Sequence, residues 1–290
     1  MVHDQQIHKA IHNRLSQLKE VRHQLTRILI LILQEELIIN QIRVGDDDNC
    51  QLKMSNPYFS FKQFTVFHHL CAMKVGIDGV LLGAWASVDN VSSILDIGSG
   101  SGLITLMLAQ RSASQIVAID IDADAVLQTD DNVSKSPWQN RIRTKEISLQ
   151  LFVNETTERF DLIVSNPPYF VNSTQAPSLG RAMARHTGSL SHEELIENAK
   201  LLLKPTGRIC LILPVNEGLQ CVDFAQSVGL FCTKQVTVFP KPDTVAKRLL
   251  LEFSFQSSPK IESELTIESN ERHQYSPEFS ELAKDFYLKL

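Results

Sequence analysis

The sequence has no surplus of positive charge. Its 290 residues carry 28 Lys and Arg against 33 Asp and Glu, a net charge of −5. Any surface that binds a polyanion must therefore be a local cluster of basic side chains. Cysteine is scarce: Cys50, Cys71, Cys210, Cys221 and Cys232 are scattered, with no C-x-x-C pair and no His at zinc-ligand spacing. That argues against a disulfide framework and a zinc site, and reads as reduced structural thiols in a cytoplasmic protein. Long hydrophobic runs are missing too. The apolar run 28–33 is too short to span a bilayer and follows a long polar segment, so neither a membrane span nor a secretory signal is expected. There is no internal repeat and no low-complexity stretch. What remains, 43% hydrophobic and 21% charged, is ordinary for a soluble globular chain. The length suits one large α/β domain with an extension, or two small domains.

Residues 1–45 differ from the rest. Ile7, Ile11, Leu15, Leu18, Val21, Leu25, Ile28 and Ile32 recur at three- and four-residue steps, the period of an amphipathic helix. Gly45 and the acidic run Asp46 to Asp48 then read as a solvated linker. The segment is a partner helix, a poorly anchored tail, or sequence ahead of a translation start at Met54. The expected division is an extension over 1–53 and a compact domain over 54–290.

Beyond Met54 the pattern alternates. Short β-rich runs at 92–97, 115–120, 141–147, 161–165 and 208–213 are separated by helical stretches at 104–110, 123–133 and 193–203. Strand and helix in alternation imply a parallel sheet with helices on both faces. Two further strand-like runs, 231–239 and 248–255, flank a Pro-containing loop and read as an antiparallel hairpin closing the sheet edge.

The first of these strands runs into Asp96-Ile97-Gly98-Ser99-Gly100-Ser101-Gly102 and then a helix. Glycines at 98, 100 and 102 let the backbone turn sharply and approach a ligand closely. Alone, such a loop is weak evidence. The second strand, however, ends at Asp120, roughly twenty residues past the loop, the spacing of a carboxylate that accepts from ribose hydroxyls. The plainer reading is that Asp120 and Asp122 end a strand and open a helix. Asp96 either braces the loop or meets an amino group of the ligand.

The fourth strand ends in Asn166-Pro167-Pro168-Tyr169. Two prolines fix the backbone, remove two N–H donors and leave rigid carbonyls. The Asn166 side-chain oxygen and the Pro167 carbonyl can both accept from a single NH2 group, and Tyr169 offers a face for stacking on a planar substrate. An exocyclic amine is a poor nucleophile because its lone pair is delocalised. Holding both N–H groups from one side aligns the nitrogen with an electrophile and stabilises the positive charge that grows on it. The plainer reading is a Pro-Pro turn that stops a strand.

With these elements in place the chain resembles the class I S-adenosylmethionine-dependent methyltransferases that carry an (N/D)PPY tetrapeptide. The resemblance implies an α/β, Rossmann-like fold with a seven-stranded, mostly parallel sheet and an antiparallel last strand. Adenine-N6, glutamine-N5 and (with Phe in the last place) guanine-N2 methyltransferases share the tetrapeptide. The choice among them rests on four separated stretches: 61–66 with 73–85 (MKVGIDGVLLGAW), 184–187 with 190–195, 247–252 (KRLLLE), and 284–287. These are similar to the bacterial tRNA1(Val) (adenine(37)-N6)-methyltransferase family.

That resemblance implies methyl transfer from S-adenosylmethionine to N6 of an adenine in tRNA, by direct in-line displacement. Asn166, Pro167, Pro168 and Tyr169 would hold the amine. Asp96, Gly98, Gly100, Gly102, Asp120, Ser148, Asn166, Lys74 and Asp78 would hold the cofactor. Arg181, Arg185, His186, Lys247 and Arg248 would meet RNA. No metal and no membrane partner are expected. Asp78 also has a plainer reading, as cap of a helix over 79–86. Ser191 with Glu194 is a capping box without a catalytic role. The chain departs from the family pattern at His69 and Leu70, at Ile77, and at Ser148, where an acidic residue is usual. A glutamine amide presents the same planar NH2, so a protein-glutamine methyltransferase stays open as an alternative, as does a non-catalytic RNA- or cofactor-binding protein.

Overall fold

Residues 56–168, 190–271 and 274–290 are described by the computed structural model. A short antiparallel hairpin, β1 (Tyr58–Ser60) and β2 (Thr65–Phe67), leads into helix α1 (Ile77–Trp85). The alternating part follows: β3 (Ser93–Ile97), α2 (Leu103–Arg111), β4 (Gln115–Asp120), α3 (Ala123–Ser134), β5 (Ile142–Glu146), α4 (Leu149–Glu155), β6 (Phe160–Ser165), α5 (His192–Leu202), β7 (Leu203–Pro214) and α6 (Val215–Ser227). The chain ends in β8 (Phe231–Phe239), β9 (Arg248–Ser254), β10 (Ile261–Thr266) and α7 (Pro277–Ala283).

The large sheet has the order β10-β8-β9-β7-β6-β3-β4-β5. Every neighbouring pair is parallel except the two made by β9, which runs antiparallel to both β7 and β8. Successive strand residues point to opposite faces, and both faces are covered. Ile94, Ile116, Leu162, Val164 and Ile212 face α1, α2 and α7, whereas Leu95, Val117, Ile163, Ile209 and Leu211 face α4, α5 and α6. This is why the strands read as near-continuous apolar runs.

Two expectations about the sheet are corrected. It has eight strands rather than seven, and the C-terminal hairpin does not close its edge. The antiparallel β9 is tucked between β7 and β8, and β10 pairs in parallel beyond β8. In β10 only Leu265 is buried, so its sequence carries no alternation for a reader to catch.

Helix α1 approaches α2 closely. A Cβ on Gly79 would lie 2.8 Å from Leu103 Cδ2, and one on Gly83 would lie 2.8 Å from Met107 Sδ. A larger residue at either position would push Leu103 or Met107 aside, so the two glycines set how closely α1, with Asp78, meets α2. The expected capping box opens α5: Ser191 Oγ accepts from Glu194 N, and the Glu194 carboxylate accepts from Ser191 N.

Candidate functional site: the carboxyl edge of the sheet

β3 ends at Ile97 and the loop to α2 turns through Gly98, Gly100 and Gly102, whose φ angles are +73°, +56° and +76°. Side chains rarely tolerate that region. A Cβ on Gly98 or Gly100 would meet nothing within 4 Å, so the loop backbone borders open space. The neighbouring strand holds the loop in place. Gly98 N and Ser99 N donate to Ile119 O at 2.8 and 3.1 Å, and Gly100 N donates to Asp120 Oδ2 at 2.9 Å. Asp120 Oδ1 accepts from Asp122 N at 3.0 Å, and Asp122 in turn caps α3. The plainer sequence reading of this pair holds, since Asp120 ends its strand and Asp122 opens α3, and Asp120 in addition braces the glycine loop. Burial pushes the Asp120 carboxyl above its ordinary range, against the pull of the Asp122 and Gly100 N–H groups.

Asp96 lies beneath the loop and is fully buried. Thr105 Oγ1 donates to its Oδ2 at 2.6 Å, while Oδ1 has no partner among the described residues. Burial lifts the carboxyl to about 7; Thr105 lowers it and the charge of Asp120 raises it further.

On the other side, β6 pairs with β3, Ser165 opposite Ile97, and Ser165 Oγ donates to Ile97 O at 2.8 Å. This hydroxyl ties the strand that ends in Asn166 to the strand that ends in Gly98, about 4.8 Å away across the ladder. Asn166 is half-buried, Pro167 buried and Pro168 exposed. Tyr169, Arg181, Arg185 and His186 lie outside the described residues, as do the amphipathic stretch 1–45, Cys50 and Met54.

Lys74 is exposed ahead of α1. Asp78 is not the helix cap: Gly76 takes that position without a side-chain bond, because the helix starts two residues earlier than expected. Asp78 Oδ2 instead accepts from Arg248 Nε at 2.9 Å, which commits Arg248 to an ion pair as well as to any RNA role. Lys247 is exposed, its N–H donating to Val238 O. Ser148 follows Ile147, whose N–H donates to Asp120 O at 2.9 Å, so it stands beside the end of β4. Its hydroxyl caps α4, accepting from Leu151 N at 3.3 Å. His68 Nε2 bonds Asn56 O at 3.0 Å, and no metal-holding cluster occurs among the described residues. No helix among them is long and apolar enough to cross a membrane.

Sequence reasoning missed Thr105, Ser165, Gln128, Thr129 and Asn132. Each is a buried polar residue with a hydrogen-bond partner: Thr105, Ser165, Thr129 and Asn132 bond the strand ends or the glycine loop, and Gln128 bonds Leu70 N. A polar residue interrupting a buried face was the available signal.

A family model described as "Methyltransferase small domain" matches residues 80–231. A crystal structure of a predicted O-methyltransferase from Agrobacterium tumefaciens superposes with a TM-score of 0.56 at 18% identity, covering 72% of this chain and 96% of that one; at that identity the likeness speaks for the fold alone. The class is thus a Rossmann-like methyltransferase, whose cofactor is S-adenosylmethionine. Curated relatives are nearer. One from Parabacteroides distasonis is 51% identical over 238 residues, 82% of this chain and 100% of the relative. Others from Bacteroides thetaiotaomicron (46% identical, 82% and 100% covered) and Trichodesmium erythraeum (44% identical, 81% and 100% covered) carry the same name. The chain belongs to the tRNA1(Val) (adenine(37)-N6)-methyltransferase family.

Proposed function

We propose that this protein transfers a methyl group from S-adenosylmethionine to N6 of an adenine in tRNA, adenosine 37 of tRNA1(Val) in keeping with the name its relatives carry, in the cytoplasm. The observation that carries the reading is the juxtaposition of two strand ends. The glycine loop and Asn166-Pro167 leave neighbouring strands that Ser165 bonds together.

The residues present fit the cofactor. Open space over Gly98 and Gly100 leaves room for a close approach. Asp120 would accept from the ribose hydroxyls, and the unpartnered Asp96 Oδ1 would face a donor or cation from the ligand, with Lys74, Asp78, Gly102 and Ser148 around them. When bound, S-adenosylmethionine supplies a methyl group on a positively charged sulfur. Asn166 and the Pro167 carbonyl would accept the two N–H groups of the adenine amine, orient its lone pair and stabilise the positive charge formed on it. No strong base is required, because the charged methylated amine loses its proton readily to water. Tyr169 would stack on the base. Lys247, Arg248, Arg181, Arg185 and His186 would receive RNA phosphates. Residues 54–290 would suffice for the reaction, with 1–53 an extension to it.

The test is transfer of labelled methyl to total tRNA from cells that lack the modification, followed by nucleoside analysis. N6-methyladenosine confined to one tRNA is expected, and Asn166→Ala should lower turnover by about a thousandfold while leaving cofactor affinity in place. Label appearing in a protein glutamine, or full turnover in the Ala variant, would overturn the assignment.

A further inference from the structure

Helix α3 buries three polar residues on two adjacent turns, where a helix against a sheet would ordinarily be apolar. Gln128, Thr129 and Asn132 are all essentially fully buried. Burying such groups is costly unless each finds a partner, and their partners are backbone groups of two other segments. Thr129 Oγ1 donates to Gly100 O at 2.9 Å and lies 3.3 Å from Ser99 Oγ. Asn132 Nδ2 donates to Ser101 O at 2.8 Å and to Phe67 O at 2.7 Å, while its Oδ1 accepts from Phe67 N at 2.9 Å. Gln128 Oε1 accepts from Leu70 N at 3.1 Å, while its Nε2 has no partner among the described residues. One helix face thus grips the glycine loop and the segment 67–71 together.

The consequences for the loop follow from peptide geometry. Across a trans peptide the C=O and the next N–H point in opposite directions. With Gly100 O drawn to Thr129, the Ser101 N–H is directed away from α3. The segment 67–71 is bonded to α3 through Phe67 and Leu70, and α3 opens at Asp122, whose N–H donates to Asp120 Oδ1 at the end of β4; in keeping with that, burial and then the carboxylates of Asp120, Asp122 and Asp124 push the Cys71 thiol up to about 12.

We propose that Thr129 and Asn132, assisted by Gln128, are positioning residues for the cofactor: they turn the Gly100–Ser101 peptide toward the ligand and hold the 67–71 segment as a wall of the pocket next to Asp120. The proposal rests on the S-adenosylmethionine reading above. A stripe serving only to complete the core would contribute to folding and leave ligand affinity untouched.

The full chain is tested by calorimetric binding of S-adenosylmethionine and S-adenosylhomocysteine, with KM measured for each substrate. Thr129→Val keeps the shape and removes the hydroxyl; it is expected to weaken cofactor binding about tenfold. KM for tRNA, and kcat at saturating cofactor, should not change. Thr129→Ser keeps the hydroxyl and should bind within about twofold of the parent. Asn132→Ala should weaken binding at least as much as Thr129→Val; if it does not fold, Thr129→Val decides. The control is Ser114→Ala, which removes a buried bond to Val91 O at the far end of β4. Unchanged affinity in Thr129→Val, or an equal loss in Ser114→Ala at a matched fall in Tm, overturns the proposal. Absence of cofactor binding by the parent protein itself would instead bring down the methyltransferase reading, and this proposal with it.

Discussion

The two edges of the sheet treat the same residue type in opposite ways. At the amino edge, Asp161 Oδ2 accepts from the N–H and hydroxyl of both Ser92 and Ser93, at 2.7 to 3.0 Å, and from Lys204 Nζ at 2.8 Å. Burial alone would raise its pKa, but Lys204 and the serine donors together outweigh it and hold the carboxyl well below its usual range. At the carboxyl edge, Asp96 and Asp120 are both raised, burial being the largest cause, and Asp96 keeps an oxygen with no partner among the described residues. The amino edge is finished as architecture. The carboxyl edge stores uncompensated desolvation, which a ligand can relieve.

The sharpest break in this comparison comes from Asp161→Ala. It strips Lys204 and two serines of their acceptor, and should cost about 3 kcal/mol in urea unfolding with kcat and both KM values unchanged. Impaired cofactor binding at equal folding would erase the distinction between the edges. Asp120→Ala should do the reverse. Loss of a charged acceptor for two hydroxyls weakens cofactor binding by about 2 kcal/mol, roughly thirtyfold, read by calorimetry. Some stability is lost as well, because Gly100 N and Asp122 N lose their partner.

The pH dependence separates the edges further. The Asp161 pKa is depressed in the folded state, so its contribution is present above the ordinary carboxylate value and is lost as pH falls below about 4. The Asp96 pKa is raised, from 3.8 to about 7. Its favourable contribution is therefore complete below the unfolded value and is lost as pH rises through 7. Asp96→Asn keeps an acceptor for Thr105 and cannot ionise. Measured without ligand, its stability relative to the parent should climb between pH 4 and 7 by about 4 kcal/mol and level off above. A difference that is flat with pH would mean that Asp96 does not titrate in this range.

Legibility in the sequence followed the same division. The strand bounds 115–120 and 231–239, and the α5 capping box, were read directly because local periodicity and capping chemistry set them. The glycine loop and Asp120 were readable because a fixed spacing joins them within one βαβ unit. What escaped was long-range or unpatterned. Arg248 meets Asp78 across 170 residues, which no local rule predicts, and the capping reading of Asp78 fails because α1 starts at Ile77, with Gly76 in the cap position. β10 is exposed along most of its length and shows no period. Thr129 and Asn132 looked like ordinary helix residues because their partners are carbonyls of distant loops.

The smallest expected effect bears on Ser148, where the family pattern has an acid. Ser148 adjoins the Asp120 backbone through Ile147 and spends its acceptor capacity on the cap of α4. Aspartate caps helices as well as serine does and is favoured by the helix dipole. Ser148→Asp should therefore leave Tm unchanged, while its second carboxylate oxygen offers the ligand a new acceptor. Cofactor binding should tighten about threefold, the scale of one solvated hydrogen bond. Ser148→Ala should cost about 1 kcal/mol of stability through the lost cap, with affinity nearly unchanged. If Ser148→Asp weakens binding instead, repulsion from Asp120 outweighs the added acceptor, and the cofactor pocket stops short of α4.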